Sequence, residues 1–432
     1  MPDTIASTPG RGTWPSPGPH SSRCQPPRTC GRSRGAEVLV PVRSVNKPTP
    51  NGSFMGAAGW SPSPLATFGL DVLDDLRRST GRMLDTLGHG PQTTPSAVVD
   101  LAPGVRLHTY PDADPSGPPV LLVPAPIKRC YIFDLDPRCS VVARCLRHGL
   151  HPHLVEWTDP GADQQQLGLD DYADRLLRHC LHAVTERTGA RRVPLVGHSL
   201  GGTLAAICAA RHPHLAAGVV LLEAPLHFGT GTRGLATHTP LTYGTDATNG
   251  SYGTVGAFHN GVPGSLLTLA AANAAPTEFQ LDRWTDLLCC LADPEALATY
   301  MRVLRWTLDE FRQPRQLFVD VLERLYQRDE FFTGALTLAG RTVGPTDITM
   351  PLLTVVDPRS RIVPPSAVLP VHHAVATDDK RILEYRGDTG VVIQHLGILV
   401  GRNAHRLLWP HILDWLDTVA ATTPPPARSA PG

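Results

Sequence analysis

The stretch VPLVGHSLGGTL, residues 193–204, decides how this chain folds. Its first five residues form a short apolar run typical of a buried strand, and the sequence from Leu200 onward, LGGTLAAICAARH, is typical of a helix. Ser199 therefore falls at a sharp turn between a strand and a helix. Gly197 and Gly201 flank this turn, and residues without a side chain let strand and helix approach closely.

A G-x-S-x-G pattern in this setting predicts a nucleophilic serine. The strained turn exposes the hydroxyl of Ser199, and the helix N-terminus beneath it offers unpaired N–H groups that stabilise an oxyanion. We expect the backbone N–H of Leu200 to be the first oxyanion donor. The alternative is a structural serine at a tight turn.

Apolar runs and helical patterns alternate on both sides of Ser199. Uniformly apolar runs are typical of parallel strands covered on both faces, and the segments between them have helical periodicity. The sequence therefore predicts an α/β fold with a mostly parallel, doubly wound sheet, preceded by one amphipathic helix at 66–88. The predicted strands are 120–125, 151–157, 193–197, 218–224, 351–357 and 381–386.

Composition excludes several classes of function. The chain has 432 residues, 41% of them apolar, and 39 basic residues balance 39 acidic ones, which argues against a nucleic-acid or membrane-surface partner. No run is long and apolar enough for a membrane span, and the nine cysteines have no regular spacing, so we expect reduced thiols and a cytoplasmic protein. No phosphate-binding glycine loop or zinc spacing occurs, and we expect no cofactor and no metal.

Strand signals stop between about 226 and 345, where helical patterns dominate. We predict a helical insertion that acts as a lid; the alternative is a helical elaboration without a gating role. The Pro-rich ends are expected to be disordered tails, although the first tail also has the Arg-rich character of a transit peptide, and translation could instead begin at Met55. The predicted parts are tail 1–54, core 55–225, lid 226–345, core 346–420 and tail 421–432.

Several further motifs resemble those of the polyhydroxyalkanoate (PHA) synthase family. They are YIFDLDP at 131–137, EWTDP at 156–160, LVGHSLGGTLAA at 195–206, GALTLAGRTV at 334–343 and the closing HLGILVG with WPHILDWL. The resemblance spans about residues 66–418. It implies an α/β-hydrolase fold and the polymerisation of 3-hydroxyacyl-CoA through covalent acyl-enzyme intermediates.

The same resemblance implies the remaining catalytic groups. It makes His395 the base and places a cysteine nucleophile where this chain has Ser199, the usual choice in lipases, esterases and depolymerases. The family's Asp would fall at Ser360, so another carboxylate must orient the imidazole. Asp357, three residues earlier, is our preferred acid. Glu223, at the end of the fourth apolar run, is the alternative and resembles the arrangement in haloalkane dehalogenases.

The second oxyanion donor is expected in the loop after the first apolar run. Pro124 and Pro126 have no N–H to offer, so Ala125 or Ile127 must donate. We interpret His198 as a packing residue. The histidines at 148, 151 and 153 are most simply explained by a loop and a strand edge rather than by a metal site.

These observations favour acyl-transfer chemistry on an ester or thioester. With water as acceptor, the protein would be an esterase or PHA depolymerase; with a hydroxyacyl chain as acceptor, it would be a synthase. The substrate would be a small acyl ester, an acyl-CoA or a hydroxyalkanoate polymer. The alternative is a non-catalytic protein of the same fold with a degenerate site.

Overall fold

The computed structural model describes residues 64–229, 258 and 260–422, with side chains from Phe68 onward except that of Ala274. The predicted N-terminal tail and the Gly/Thr-rich stretch early in the predicted lid lie outside the described residues. Of the predicted C-terminal tail, only the first two residues are described, and they continue the last helix.

One sheet of eight strands organises the described part of the chain, and a separate hairpin adds two short strands. The sheet order is β1-β2-β4-β3-β5-β6-β9-β10; the pairs that involve β2 are antiparallel, and all others are parallel. The strands are β1 (Ala97–Ala102), β2 (Val105–Thr109), β3 (Pro119–Val123), β4 (His151–Trp157), β5 (Val193–His198), β6 (Ala216–Leu222), β7 (Leu336–Leu338), β8 (Arg341–Val343), β9 (Leu352–Val356) and β10 (Lys380–Glu384).

The helices precede, separate and follow these strands. They are α1 (Pro64–Leu84), α2 (Val141–Arg147), α3 (Leu177–Thr188), α4 (Leu200–Arg211), α5 (Gly264–Ala274), α6 (Arg283–Cys290), α7 (Pro294–Thr307), α8 (Arg315–Asp320), α9 (Pro365–Ala374), α10 (Gln394–Val400) and α11 (Trp409–Thr422). Wide π-helical turns extend α1, α3, α6, α8 and α11. Within the described ranges, no helix combines the length and the hydropathy needed to cross a membrane.

The predicted doubly wound sheet is confirmed, and alternate residues of its central strands enter two separate cores. Leu121 and Val123 of β3 pack under α3 and α4, whereas Val120 and Leu122 pack on the opposite face with α2, α10 and α11. Each strand is therefore apolar on both faces, which is why these strands read as continuous apolar runs.

Two differences from the sequence analysis have a physical cause. Strands β1 and β2 were not predicted, because β1 at the sheet edge is largely exposed and lacks a continuous apolar run. The expectation that strand signals stop between 226 and 345 is wrong for the hairpin β7–β8, whose strands are only three residues long.

Helix α1 contacts the insertion through buried polar groups as well as through the apolar side chain of Leu70. The buried carboxylate of Asp74 accepts hydrogen bonds from the backbone N–H groups of Gly264 and Ser265, at the first turn of α5. The apolar side chains that define the periodicity of α1 include Phe68 and Leu76, and both are exposed. The predicted helix is present, but polar contacts join it to the insertion.

Candidate active site

Ser199 occupies the turn between β5 and α4 in a strained conformation. Its φ of 55° and ψ of −133° lie in a region that residues with a side chain rarely adopt, and such strain costs about 1–3 kcal/mol. The hydroxyl makes no capping hydrogen bond to α4. A Cβ at Gly201 would lie 2.3 Å from the carbonyl oxygen of Val123, so only glycine fits where α4 meets the end of β3.

His395 and Glu223 form a buried hydrogen-bonded pair. His395, in the first turn of α10, places Nδ1 at 2.7 Å from Oε2 of Glu223, which directly follows β6. Glu223 has a positive φ of 43°. Within the described residues, Nε2 of His395 has no hydrogen-bond partner, so this nitrogen is free to take a proton.

Asp357 accepts a hydrogen bond from the backbone of Arg359 rather than from His395. It follows β9, the strand beside β6, and its Oδ1 accepts a hydrogen bond of 2.8 Å from the backbone N–H of Arg359. The guanidinium of Arg359 lies 3.6 Å from the same oxygen. The structure thus places our alternative acid, Glu223, in contact with His395, and no contact between His395 and the preferred acid, Asp357, occurs among the described residues.

Burial sets the protonation of this pair. Burial raises the pKa of Glu223 well above its usual range, and the nearby charge of Asp357 raises it further. The Ser360 hydroxyl and the Asp357 backbone N–H lower it. Burial also lowers the pKa of His395 to about 4, so the imidazole is neutral at pH 7. A neutral ring is the form that can act as a general base.

His198 contacts His395 from β5, the strand that ends directly before Ser199. Its Nε2 lies 2.9 Å from the carbonyl oxygen of His395, and the two rings are 4.5 Å apart. Burial lowers the pKa of His198 well below its usual value, so the ring is neutral and donates from Nε2. His198 is thus hydrogen-bonded to the backbone of His395, a contact the sequence analysis did not identify.

The loop after β3 approaches Ser199 from the other side. Ala125 and Ile127 both line a cavity that contains Ser199 and His395. The carbonyl oxygen of Pro126 accepts a hydrogen bond of 2.7 Å from Nε2 of Gln313. No sequence motif marks Gln313, which lies 187 residues later in the predicted lid.

Two apolar cavities share Ser199. One, of about 250 Å³, has aromatic and aliphatic walls that include Phe228, Phe318 and Tyr326. The other, of about 260 Å³, is lined by Phe133 and Trp306 among others. Helix α5 lines both cavities, so the insertion covers Ser199. Its action as a lid stays a prediction.

The histidines near β4 form no metal centre in the part of the chain that the structure describes. His148 lies 2.8 Å from a carboxylate oxygen of Asp417. The rings of His151 and His153 are 4.6 Å apart, and neither ring nitrogen of His153 has a partner among the described residues.

Comparisons with known proteins agree with this fold. A family model of the alpha/beta hydrolase fold matches residues 118–247, so the predicted α/β-hydrolase fold is confirmed. The poly(3-hydroxyalkanoate) polymerase subunit PhaC of Haloferax mediterranei is 30% identical over 297 residues, 69% of this chain and 58% of the relative. The PhaC subunit of Haloarcula marismortui is 29% identical over 305 residues, 71% of this chain and 62% of the relative.

A third relative aligns over nearly its whole length. The PhaC subunit of Allochromatium vinosum is 25% identical over 363 residues, which are 82% of this chain and 98% of that protein. The chain spans about three-fifths of the length of the two archaeal relatives. Together these matches confirm the resemblance to PHA synthase-like enzymes of the α/β-hydrolase fold.

Proposed function

We propose that this protein is a serine-dependent acyltransferase of the PHA synthase type, with Ser199 as nucleophile, His395 as base and Glu223 as the acid that orients His395. The observation that carries the proposal is the 2.7 Å hydrogen bond between Nδ1 of His395 and Oε2 of Glu223, buried beside a strained serine. A nucleophile, a base and a group that orients the base are what covalent acyl transfer needs.

In the acylation step, Nε2 of His395 takes the Ser199 proton as Oγ attacks the carbonyl carbon of an ester or thioester. The carbonyl oxygen becomes an oxyanion, for which the N–H groups of Leu200 and Ile127 are the proposed donors. When the tetrahedral intermediate collapses, the carbon–sulfur or carbon–oxygen bond breaks, and His395 returns the proton to the leaving thiolate or alkoxide. The product is an ester on Ser199.

The second step transfers the acyl group to a hydroxyl acceptor. His395 removes the acceptor's proton, the acceptor oxygen attacks the acyl-serine, and Ser199 is released with its proton restored. Two apolar cavities that share Ser199 support transfer over simple hydrolysis, because one can hold the acyl chain while the other holds an apolar acceptor.

The proposed substrates are 3-hydroxyacyl esters or thioesters, since the relatives are named poly(3-hydroxyalkanoate) polymerase subunits. Coenzyme A would enter as part of such a substrate rather than as a resident cofactor. The family resemblance implies a cysteine at the position of Ser199. An oxygen ester on serine is attacked less readily than a thioester, which makes hydrolysis, as in an esterase or depolymerase, the competing outcome.

A fluorophosphonate probe tests the nucleophile. We expect stoichiometric labelling of Ser199 in the parent and none in Ser199→Ala, because the probe reacts only with an activated serine. Ser116, an exposed serine outside the site, provides a control: Ser116→Ala should be labelled like the parent. An unlabelled parent would favour the non-catalytic alternative.

A partition experiment tests the acceptor. The acyl-enzyme is formed from a 3-hydroxyacyl thioester, and the free acid is compared with the hydroxyacyl dimer as the concentration of hydroxyacyl ester acceptor increases. A dimer yield that rises with acceptor supports a transferase. Free acid alone, at every acceptor concentration, would establish a hydrolase.

A further inference from the structure

The loop that carries the proposed second oxyanion donor is held by side chains that bind its carbonyl oxygens. Nε1 of Trp157 donates to the carbonyl of Pro124 at 2.8 Å, and Nε2 of Gln313 donates to the carbonyl of Pro126 at 2.7 Å. The two prolines have no N–H groups, so neither can anchor the loop through a backbone donor of its own.

The bond from Gln313 determines the direction of one particular amide. The Pro126 carbonyl and the Ile127 N–H belong to the same peptide unit, and in a trans peptide these groups point in opposite directions. Holding the carbonyl toward Gln313 turns the Ile127 N–H to the other side of the loop. No acceptor for that N–H occurs among the described residues, and Ile127 lines both cavities that contain Ser199.

We propose that Gln313 is a positioning residue that aims the Ile127 amide at the oxyanion formed on Ser199. The inference rests on the proposed function and assigns to the insertion a direct part in transition-state stabilisation. Gln313 touches neither the reacting atoms nor the base in this scheme, and it acts through the Pro126–Ile127 peptide.

Gln313 is itself firmly held. Its side chain is buried, and its backbone pairs with Val262 through two hydrogen bonds, N–H to O at 3.1 Å and O to N–H at 2.9 Å. Replacing the side chain therefore leaves the backbone anchored. A rigid donor can hold a peptide orientation that the loop alone would not keep.

The other end of the loop is fixed independently. Lys128 donates from Nζ to the buried carboxylate of Glu310 at 2.7 Å, and Nε1 of Trp306 donates to the carbonyl of Arg129 at 2.8 Å. With these contacts intact, loss of the Gln313 side chain frees the Pro126–Ile127 peptide to rotate without releasing the loop.

The test compares Gln313→Met with the parent. Methionine fills a similar volume but has no N–H to donate. We expect the single-turnover acylation rate to fall about 10²-fold with an unchanged KM, since loss of one oxyanion donor costs about 10²–10³ in rate. A trifluoromethyl ketone, which forms a tetrahedral oxyanion on serine, should bind more weakly by a similar factor. Gln313→Leu also lacks a side-chain donor, so it should lose a similar factor.

Gln316→Met is the matched control. Gln316 lies three residues later and donates from Nε2 to Asp320 at 2.9 Å, away from the loop, so its loss should leave both rate and ketone binding unchanged. Thermal unfolding of each variant checks the fold: losing one buried hydrogen bond should lower the midpoint by only about 2–4 °C.

The outcomes separate this inference from the proposed function. Ketone inhibition of both Gln313 variants within about threefold of the parent would overturn the positioning role while leaving the nucleophile intact. A higher KM with an unchanged acylation rate would also overturn it. That result would mean that the substitution only weakens substrate binding. A parent that neither reacts with the ketone nor labels at Ser199 would overturn the proposed function itself.

Discussion

Nδ1 of His395 lies 2.7 Å from Oε2 of Glu223, although Asp357 follows the adjacent strand. The two carboxylates are neighbours because β6 and β9 pair in parallel, with Leu222 opposite Val355. A positive φ of 43° at Glu223 accompanies the contact with His395, whereas Asp357 stays bonded to the backbone of Arg359. The two similar acids therefore have different hydrogen-bond partners.

Replacing each acid by its amide should separate these roles. Glu223→Gln should lower the single-turnover acylation rate by up to ~10⁴-fold, because an amide favours the wrong imidazole tautomer. Asp357→Asn should stay within about threefold of the parent at pH 8, since it does not contact His395. Release of a chromogenic short-chain alcohol measures both rates. The reverse pattern would make Asp357 the orienting acid.

Asp357→Asn should nevertheless change the pH dependence of acylation. The charge of Asp357 raises the pKa of Glu223, so its removal should lower that pKa and keep Glu223 ionised to lower pH. We expect the acidic limb of the acylation profile to move to lower pH. The exposed Asp75→Asn variant is the control and should leave the limb in place. A shift to higher pH would contradict the assigned interaction.

The sequence predicted the sheet and the elbow because their signals are local. Strand β5 and helix α4 are continuous apolar and helical patterns that meet at one G-x-S-x-G turn, so a short stretch contains the whole signal. Which of the two acids contacts His395 was beyond sequence reasoning, because the contact depends on strand register and on one backbone dihedral angle. Gln313 was missed for a similar reason: only the folded insertion brings it to Pro126.

In α1, the periodic apolar pattern predicted the helix but not which of its faces is buried. The spacing of Phe68, Val72 and Leu76 predicted a helix correctly, but these side chains are exposed, whereas the carboxylate of Asp74 is buried. A periodic apolar pattern identifies the faces of a helix. It does not specify which face contacts the rest of the molecule when ion pairs and capping hydrogen bonds are available.

Ser199→Cys should change the preferred substrate. A thiolate is a better nucleophile toward thioesters, and its own acyl product is a more reactive thioester, so transfer to a second acceptor becomes easier. We expect the ratio of thioester to oxygen-ester turnover to rise relative to the parent. Parallel assays with a matched pair of substrates that carry the same acyl chain measure the ratio. An unchanged ratio would mean that the nucleophile does not determine the substrate preference.

His153 should contribute to the loss of folding stability at acidic pH. Burial lowers its pKa to about 3, the charges of His151 and Arg187 add to the shift, and neither ring nitrogen has a partner among the described residues. An unfolded histidine has a pKa of about 6.5, so between these values the unfolded chain binds a proton that the folded chain does not. The free energy of unfolding should therefore fall as the pH drops below about 7.

His153→Leu removes this proton uptake. Relative to the parent, the variant should gain roughly 2 kcal/mol of stability at pH 5 compared with pH 8, because the lost stability of the parent grows with each pH unit below the unfolded pKa. Urea unfolding at the two pH values measures the difference. His411→Leu, on the exposed side of α11, is the control and should give no such gain. If the two variants have the same pH dependence, the acid sensitivity must come from other buried groups.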